Sequence, residues 1–253
     1  MKRFTDKVAL VTGGNSGIGR ATALAFARDG AKVVIAARRD NLGLAVVEEI
    51  KKEAGEAVFI KTDVSQQAQV QSLFDKIKEI HGRLDFAFNN AGVMNPVSRM
   101  DKDTFENWNL VMNTNLLGVW LCMKYEIQQM LGQGGGAIVN NASTAGIGGA
   151  HGSAIYSASK HGVLGLTKSA GAEYAMKNIR INAVCPGPVM TPLLKELFKD
   201  RPRVEEAYLS TILMNRFGTP EEIAGAVLWL CSNEASFMTG YSIVIGGGQT
   251  ITP

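Results

Sequence analysis

The sequence predicts an α/β fold, a doubly wound parallel sheet of about seven strands with helices on both faces. Short runs rich in β-branched residues alternate along the chain with longer segments of helical periodicity. These runs are apolar throughout instead of alternating with polar residues, as in strands that are buried on both faces. No linker rich in Pro, Gly or Ser divides the chain, so residues 1–253 are expected to form a single domain.

The alternation can be followed element by element. The strand-like runs, in chain order, are KVALVT, KVVIAA, AVFIKT, LDFAFN, AIVNNA, IRINAVC and YSIVIG. Helices are predicted between them over residues 17–29, 42–54, 67–80, 104–131, 153–176 and 220–231. Because connections between parallel strands are right-handed, this order places helices on both faces of the sheet.

Composition argues against several classes of protein. The formal net charge is only +3 and both signs are interspersed, so no basic face for nucleic acid is expected. The three cysteines lie far apart without metal-ligand spacing, which predicts buried free thiols in a reducing compartment and no metal site. The longest apolar run, residues 116–123, is much shorter than the roughly 18 residues of a membrane span. The N-terminal residues do not resemble a signal peptide, so a cytoplasmic protein without a membrane partner is expected.

A glycine-rich loop follows the first strand and precedes the first helix. Its sequence is TGGNSGIG, and glycines here permit a tight turn and close approach of backbone N–H groups to a ligand. The positive end of the helix dipole would favour a diphosphate at this point. The spacing differs from the common G-x-G-x-x-G fingerprint, and a glycine-lined packing turn is the alternative. The residues predicted to bind a cofactor here are Gly13, Asn15, Ser16, Gly17, Ile18 and Gly19.

The end of the second strand predicts which dinucleotide binds. An acid at this point binds the ribose 2′-hydroxyl of NAD, whereas an arginine accommodates the 2′-phosphate of NADP. Ala37 occupies the position of the acid, and Arg38 and Arg39 follow it. Guanidinium groups pair well with phosphate, so NADP(H) is favoured and NAD(H) is the alternative. A solvated basic loop would give the same residues.

Tyr156 and Lys160 are four residues apart and therefore share one face of the predicted helix 153–176. They follow Ser143, which lies at the end of the strand AIVNNA, where ligands bind in such sheets. A neighbouring ammonium is expected to lower the pKa of the tyrosine toward the working range, and a serine hydroxyl can polarise a carbonyl oxygen. Together they indicate acid–base chemistry on an alcohol or ketone.

These motifs resemble those of the short-chain dehydrogenase/reductase family, in its compact single-domain branch, over essentially the whole chain. TGGNSGIG is similar to the T-G-x-x-x-G-x-G cofactor loop of the family, and NNAG and CPGPVMT are similar to two further cofactor motifs. One departure is Gly246, which stands where the family often has Asp. The resemblance implies further cofactor contacts at Asp63, Val64, Asn89, Ala91, Gly92, Tyr156, Lys160, Pro186, Gly187, Val189 and Thr191.

The resemblance also implies an activity and an assembly. Hydride would pass between NADP(H) and a ketone or secondary alcohol, with Asn115, Ser143, Tyr156 and Lys160 as the catalytic residues and Asn115 holding a water of a proton relay. An NAD-dependent alcohol or sugar dehydrogenase, a catalytically silent nucleotide-binding sensor and a dehalogenase-like relative are the alternatives. The sensor would be expected to lack one of the four residues, and the dehalogenase would lack the lysine and the glycine loop. A homotetramer packed through residues 104–131 and 153–176 is implied.

The substrate side is less specific in sequence. Residues 192–217 correspond to the segment that covers the substrate in the family, and they either form an apolar lid or pack as a surface helix pair. The apolar residues in question are Leu193, Leu194, Leu197, Phe198, Leu213 and Met214. Met94 and Ile147 are expected in the same pocket. His151 either reaches the substrate or is a hydrogen-bonded loop histidine.

Overall fold

A single parallel sheet forms the centre of the molecule. The computed structural model describes residues 2–251, and the strands within them are β1 (Val8–Thr12), β2 (Lys32–Ala37), β3 (Glu56–Lys61), β4 (Phe86–Asn89), β5 (Gly136–Asn141), β6 (Ile179–Pro186) and β7 (Ser242–Ile245). All neighbouring strands pair in parallel, in the order β3-β2-β1-β4-β5-β6-β7. The predicted α/β fold with seven parallel strands is confirmed.

Helices cover both faces of this sheet. In chain order they are α1 (Gly17–Arg28), α2 (Asp40–Lys52), α3 (Gln67–His81), α4 (Phe105–Met112), α5 (Gly118–Gln133), α6 (Ala154–Tyr174), α7 (Pro192–Phe198), α8 (Pro202–Leu209) and α9 (Pro220–Cys231). Apolar side chains of α1, α2 and α9 pack in one core, and those of α3, α5 and α6 pack in the other. The central strand β1 is buried along its whole length, which explains its continuous apolar sequence.

One predicted helix differs from the structure. The segment 104–131 is divided into α4 and α5 by one wide π-helical turn, Asn113–Leu117, in which the Gly118 N–H reaches back to the Asn113 carbonyl. Such turns insert one extra residue into a helix and occur frequently at functional sites. Periodicity alone does not reveal this turn, because the apolar pattern continues through it.

The strand order reverses between β1 and β4, and this places the functional site. The chain leaves the two strands in different directions, which opens a crevice at their C-terminal ends. The Asn90 side chain closes the bottom of that crevice by donating hydrogen bonds to the carbonyls of Thr12, at 3.0 Å, and Gly13, at 3.3 Å. The loops after β1 and β4 are therefore held at a fixed distance from each other.

Candidate active site

A cavity of about 1240 Å³ opens above the C-terminal ends of the strands. Residues that follow all seven strands line it, among them Gly13 after β1, Arg38 after β2 and Ser143 after β5. A pocket for one small ligand typically measures roughly 300–1,000 Å³. The volume is therefore sufficient for a dinucleotide and a substrate side by side.

Most of the residues predicted from sequence line this cavity. They are Gly13, Asn15, Ser16, Gly17, Ile18, Arg38, Arg39, Asp63, Val64, Ala91, Gly92, Met94, Ser143, Ile147, His151, Tyr156, Lys160, Pro186, Gly187, Val189 and Thr191. Three further predicted residues, Gly19, Asn89 and Asn115, lie outside the lining. The fold thus brings together segments that are up to 178 residues apart in sequence, from Gly13 to Thr191.

The three residues outside the lining support it from behind. A Cβ atom on Gly19 would collide with the Gly13 carbonyl, so this glycine lets α1 pack directly against the loop. The fully buried Asn89 does not reach the cavity, because its amide donates hydrogen bonds to Glu126 and Asn140, each at 3.0 Å. A cofactor contact was expected at Asn89, but its side chain is absent from the cavity lining. The reason is that this side chain projects from β4 into the buried layer beneath α5.

The glycine loop has the properties of a phosphate site. Gly13 adopts φ +63°, and a Cβ on it would lie 3.0 Å from the Cα of Ala91, so any larger residue would strain the turn. Ser16 precedes α1 but its hydroxyl does not cap the helix, and the first turn carries no acidic residue. The N–H groups of this helix end therefore keep their capacity to bind an anion, as a diphosphate requires.

Two arginines stand beside this loop, at the end of β2. Arg38 and Arg39 are both exposed, and Arg39 Nη2 donates a 3.4 Å hydrogen bond to the Ser16 hydroxyl. Neither forms an ion pair with a carboxylate of residues 2–251, whereas the adjacent Asp40 is paired with Lys61 at 3.2 Å. Since Ala37 carries no acid, the rim of the cavity is positive next to the phosphate loop.

Tyr156 projects from the first turn of α6 into the cavity. Burial raises the pKa of Tyr156 above its ordinary value of 10, while the nearby Ser143 hydroxyl, which favours the phenolate, opposes the rise. Tyr208 acts on Tyr156 in the same direction as burial. The sequence-based expectation that Lys160 lowers this pKa is not met in the structure, because desolvation of the phenolate outweighs the favourable interactions.

The Lys160 ammonium lies under the same site. Its Nζ is 5.6 Å from the centre of the Tyr156 ring and donates a hydrogen bond of 2.6 Å to the Asn141 carbonyl. Burial lowers the pKa of Lys160 to about 8. This lysine is consequently close to losing its charge near neutral pH, unlike an ordinary surface lysine.

Asn115 holds the loop after β4 in place. It lies in the π-helical turn and is fully buried. Its amide accepts from the Val93 N–H at 2.8 Å and donates to the Val93 carbonyl at 2.9 Å. Gly92 lies between Asn115 and Lys160, since a Cβ on it would be 3.4 Å from Asn115 Oδ1 and 3.9 Å from Lys160 Nζ. The wide turn therefore places Asn115 beside Gly92, which also borders the lysine. The predicted role of Asn115 in a water relay stays a prediction.

Part of the segment 192–217 lines the cavity, as expected of a lid, and part of it packs as a helix pair. Leu193 and Leu194 line the cavity, as a lid would. The buried Phe198 instead packs its ring against Tyr208 and Phe217, at centroid distances of 5.3 and 5.4 Å. Leu197, Leu213 and Met214 lie outside the lining, and the last two are exposed.

His151 lies at the mouth of the cavity. It is exposed, and its side chain forms no hydrogen bond with the part of the chain that the structure describes. His151 is thus not a hydrogen-bonded loop histidine as far as partners among the described residues are concerned, and that alternative is wrong for them.

The sequence did not indicate the contribution of the C-terminal segment after β7. Gln249 lines the cavity, and its Oε1 accepts a hydrogen bond from Thr144 at 3.0 Å while its Nε2 donates to Thr211 at 3.1 Å. It therefore joins the residue after Ser143 to the end of α8. A Cβ on Gly246 would lie 3.3 Å from the Thr144 methyl group, so the glycine that replaces the common Asp lets this segment approach closely.

Other structural features bear on the classes considered above. All three cysteines are free and buried, as predicted. Among residues 2–251, no three His, Cys, Asp or Glu side chains are grouped so that they could hold a metal ion. No helix in this part of the chain has the length and apolar character that crossing a membrane requires.

Comparison with known proteins identifies the family of the chain. The model of the family described as "Enoyl-(Acyl carrier protein) reductase" matches residues 13–250. The chain is 40% identical to an A-factor type gamma-butyrolactone 1′-reductase (1S-forming) of Streptomyces virginiae, over 98% of this chain and 97% of the relative. It is 41% identical to a cyclohexanol dehydrogenase of Acinetobacter sp. (strain SE19), over 98% and 96% of the two chains.

A solved structure shows the same fold. The crystal structure of levodione reductase superposes with a TM-score of 0.94 at 36% sequence identity and covers 99% of this chain and 100% of the other. The relatives are dehydrogenases and reductases acting on alcohol and carbonyl groups, and the chain shares their length and fold. The protein is therefore an oxidoreductase that uses a nicotinamide cofactor, and it belongs to the short-chain dehydrogenase/reductase family.

Proposed function

We propose that the protein transfers a hydride between NADP(H) and a ketone or secondary alcohol, with Tyr156 as the acid and base. The observation that carries this proposal is that Tyr156, Ser143 and Lys160 line the same cavity as the glycine loop. When bound, the nicotinamide supplies or accepts the hydride. The chain's own residues position the substrate oxygen and move its proton.

Tyr156 holds the proton. Because burial raises its pKa, its phenol is protonated at neutral pH and can donate to the oxygen of a ketone that is being reduced. Ser143, whose hydroxyl lies beside the phenol, would hold the same oxygen and stabilise its developing negative charge. In the reverse direction Tyr156 would accept the proton of the alcohol.

Lys160 supports this step through its charge. Once Tyr156 has given up its proton, the nearby ammonium would stabilise the phenolate. We assign a second role to Lys160, the orientation of the cofactor ribose, and to Asn115 the support of the relay that returns a proton. Both assignments rest on the resemblance and on the proximity of the two residues at Gly92.

The residues that would hold the cofactor fit its chemistry. The N-terminus of α1 and the left-handed turn at Gly13 suit a diphosphate, because no side chain caps the N–H groups of this helix end. Asp63 and Val64 line the cavity where the adenine would lie, and Pro186, Gly187, Val189 and Thr191 line it at the opposite end for the nicotinamide.

The preference for NADP(H) is supported by the rim of the cavity. Ala37 offers no acceptor to a 2′-hydroxyl, and the exposed Arg38 and Arg39 have no carboxylate partner among residues 2–251. Asn15 also lines this part of the cavity. A charge-assisted hydrogen bond contributes about 1.5–3 kcal/mol, and screening at an exposed rim favours the lower value. The expected preference over NAD(H) is about tenfold.

The substitution Arg38→Ala tests this preference. It should remove most of the difference in kcat/KM between NADPH and NADH. Lys52→Ala, which removes an exposed positive charge on α2 away from the cavity, is the matched control and should retain the preference. Wild-type protein with equal or higher kcat/KM for NADH would refute the assignment of NADP(H).

The reaction itself is tested by absorbance at the nicotinamide band with a panel of ketones. Cyclohexanone belongs in the panel because one relative is named a cyclohexanol dehydrogenase. Oxidation of NADPH that depends on a ketone supports the proposal. Tight cofactor binding without turnover of any ketone or alcohol would favour the silent sensor instead.

We also propose a homotetramer, packed through α4–α5 and α6. Large apolar side chains on the first of these surfaces are exposed in the single chain: Phe105 is 72% exposed, Trp108 43% and Trp120 45%. Contiguous exposed apolar residues commonly mark interfaces. Light scattering at micromolar concentration should give four times the mass of the chain, and a monomer mass would contradict the proposal.

A further inference from the structure

Several polar side chains line the substrate end of the cavity, and most already have partners. Thr144, Thr211 and Gln249 are joined to one another by hydrogen bonds. His151 and Glu196 are exposed at the mouth of the cavity, where bulk solvent can reach them. None of these five side chains needs a ligand as its hydrogen-bond partner.

Tyr208 differs from them because its ring is fixed from behind. It projects from α8 and packs edge-on against the buried Phe198, with an angle of 68° between the rings. Phe198 in turn packs against Phe217. The Thr211 hydroxyl donates a 2.8 Å hydrogen bond to the Tyr208 carbonyl, which also holds the backbone. The ring therefore keeps its position in the wall of the cavity.

The hydroxyl of Tyr208 is free to bind a ligand. It forms no hydrogen bond with any of residues 2–251, although the residue is half-buried in the cavity wall. The phenol oxygen is not fully buried, so an oxygen of a ligand in the cavity can reach it. Burial raises the pKa of Tyr208, so the group is a neutral donor and acceptor at physiological pH. Tyr208 and Tyr156 line the same cavity.

We propose that Tyr208 is a specificity-determining residue that hydrogen-bonds a second oxygen of the substrate, while Tyr156 acts on the first. The preferred substrates are then ketones that carry a further hydroxyl or carbonyl group, such as hydroxyketones and diones, and their alcohols. This inference rests on the proposed function, because it takes Tyr156 as the reacting end. The apolar residues Met94, Ile147 and Leu193 would contact the carbon frame between the two oxygens.

A pair of matched substrates tests the role of Tyr208. We would measure kcat/KM with NADPH for 4-hydroxycyclohexanone and for cyclohexanone, in wild-type protein and in Tyr208→Phe. Wild type should prefer the hydroxyketone, and the variant should lose about fivefold in that preference, chiefly through KM, since one neutral hydrogen bond is removed. Tyr241→Phe removes the hydroxyl of an exposed tyrosine outside the cavity and should leave the preference unchanged.

The outcomes separate this inference from the proposed reaction. If Tyr208→Phe lowers kcat/KM equally for both ketones, or for neither, the specificity role is overturned. A second measurement, calorimetric binding of cyclohexane-1,4-diol and of cyclohexanol in the presence of NADP⁺, does not require turnover. Weaker binding of the diol alone in the variant, without reduction of any ketone by wild type, would refute the reaction and retain the role of Tyr208. The same affinity of wild type and variant for the diol would overturn that role.

Discussion

The two ends of the cavity are built in different ways. At the cofactor end, each wall residue lies within a few positions of the end of a strand, as Gly13 does after β1 and Arg38 after β2. At the substrate end, the wall comes from α7, α8 and the segment after β7, and Gln249 in that segment forms hydrogen bonds with Thr144 and Thr211. A site made of backbone turns therefore leaves a motif in the sequence, whereas a site made of side-chain contacts between distant segments does not.

The largest effect is expected where the two ends meet, at Tyr156. The substitution Tyr156→Phe removes the proton donor and should reduce kcat by about 10² to 10⁴, because general acid–base catalysis contributes that much. The dissociation constant of NADPH, measured by fluorescence titration, should stay within about threefold of wild type, since the glycine loop and the arginine rim are untouched. Near-normal turnover by this variant would remove the proposed mechanism.

The next effect belongs to the cofactor end alone. Gly13→Ala forces a Cβ into a left-handed turn at 3.0 Å from the Cα of Ala91, which together cost about 2–4 kcal/mol. We expect NADPH to bind at least about thirtyfold more weakly, because the loop must shift its N–H groups to relieve the contact.

Gly132→Ala is the control for this substitution, because a Cβ at Gly132 meets no atom within 4 Å. It should leave the affinity for NADPH and the melting temperature almost unchanged. If Gly13→Ala binds NADPH as tightly as Gly132→Ala does, the backbone account of the cofactor end fails.

An intermediate effect is expected from pH. Burial lowers the pKa of Lys160 to about 8, so the ammonium is present below that pH and is lost above it. Because the ammonium stabilises the Tyr156 phenolate that forms in reduction, kcat/KM for ketone reduction should fall up to about tenfold per pH unit above pH 8. Lys160→Met should be slower at neutral pH and should lack this inflection. An inflection that persists unchanged in Lys160→Met would assign it to another group.

The smallest effect is expected from the connection at the substrate end. Gln249→Leu removes hydrogen bonds to Thr144 and Thr211 and should loosen α8 over the cavity. Each neutral hydrogen bond contributes about 1 kcal/mol, so KM for the ketone should rise about fivefold with little change in kcat. The affinity for NADPH should not change, because the substitution affects only the substrate end of the cavity.

A double-variant cycle sharpens this result. If Thr144 acts through Gln249, the effects of Thr144→Val and Gln249→Leu on KM should be clearly less than additive. Fully additive effects would show that the two side chains act independently and that the connection has no functional role.

The cofactor end of the cavity and the elements that carry it could be predicted from the sequence in more detail than the substrate end. The sheet, its seven strands and the helix 220–231 could be predicted because local pattern and capping agree; Thr219 and Glu222 form a capping box at the start of α9. The glycine loop and the Tyr156–Lys160 pair were predictable for the same reason. The position of Asn89 was not, because which face of a strand a side chain occupies depends on its partners, here Glu126 and Asn140.

The substrate end was predictable only in outline. Residues 192–217 gave an apolar pattern that fits both a lid and a packed helix pair, and the structure uses Leu193 and Leu194 for the first and Phe198 for the second. Tyr208 and Gln249 carry no motif, because their roles arise only when α8 and the segment after β7 come together. The direction of the Tyr156 pKa shift likewise depends on burial, which a residue list does not contain.

Hydride transfer from the nicotinamide to a carbonyl carbon in this cavity can be followed by isotope transfer. The protein would be incubated with cyclohexanone or 4-hydroxycyclohexanone and with NADPH deuterated at both C4 positions of the nicotinamide, and the alcohol would be analysed by mass spectrometry. If the hydride comes from the nicotinamide, labelled NADPH should place one deuterium on the carbinol carbon. Unlabelled NADPH in D₂O should place none on that carbon. An alcohol whose carbinol deuterium comes from D₂O, or no alcohol from any ketone tested, would contradict hydride transfer from the nicotinamide.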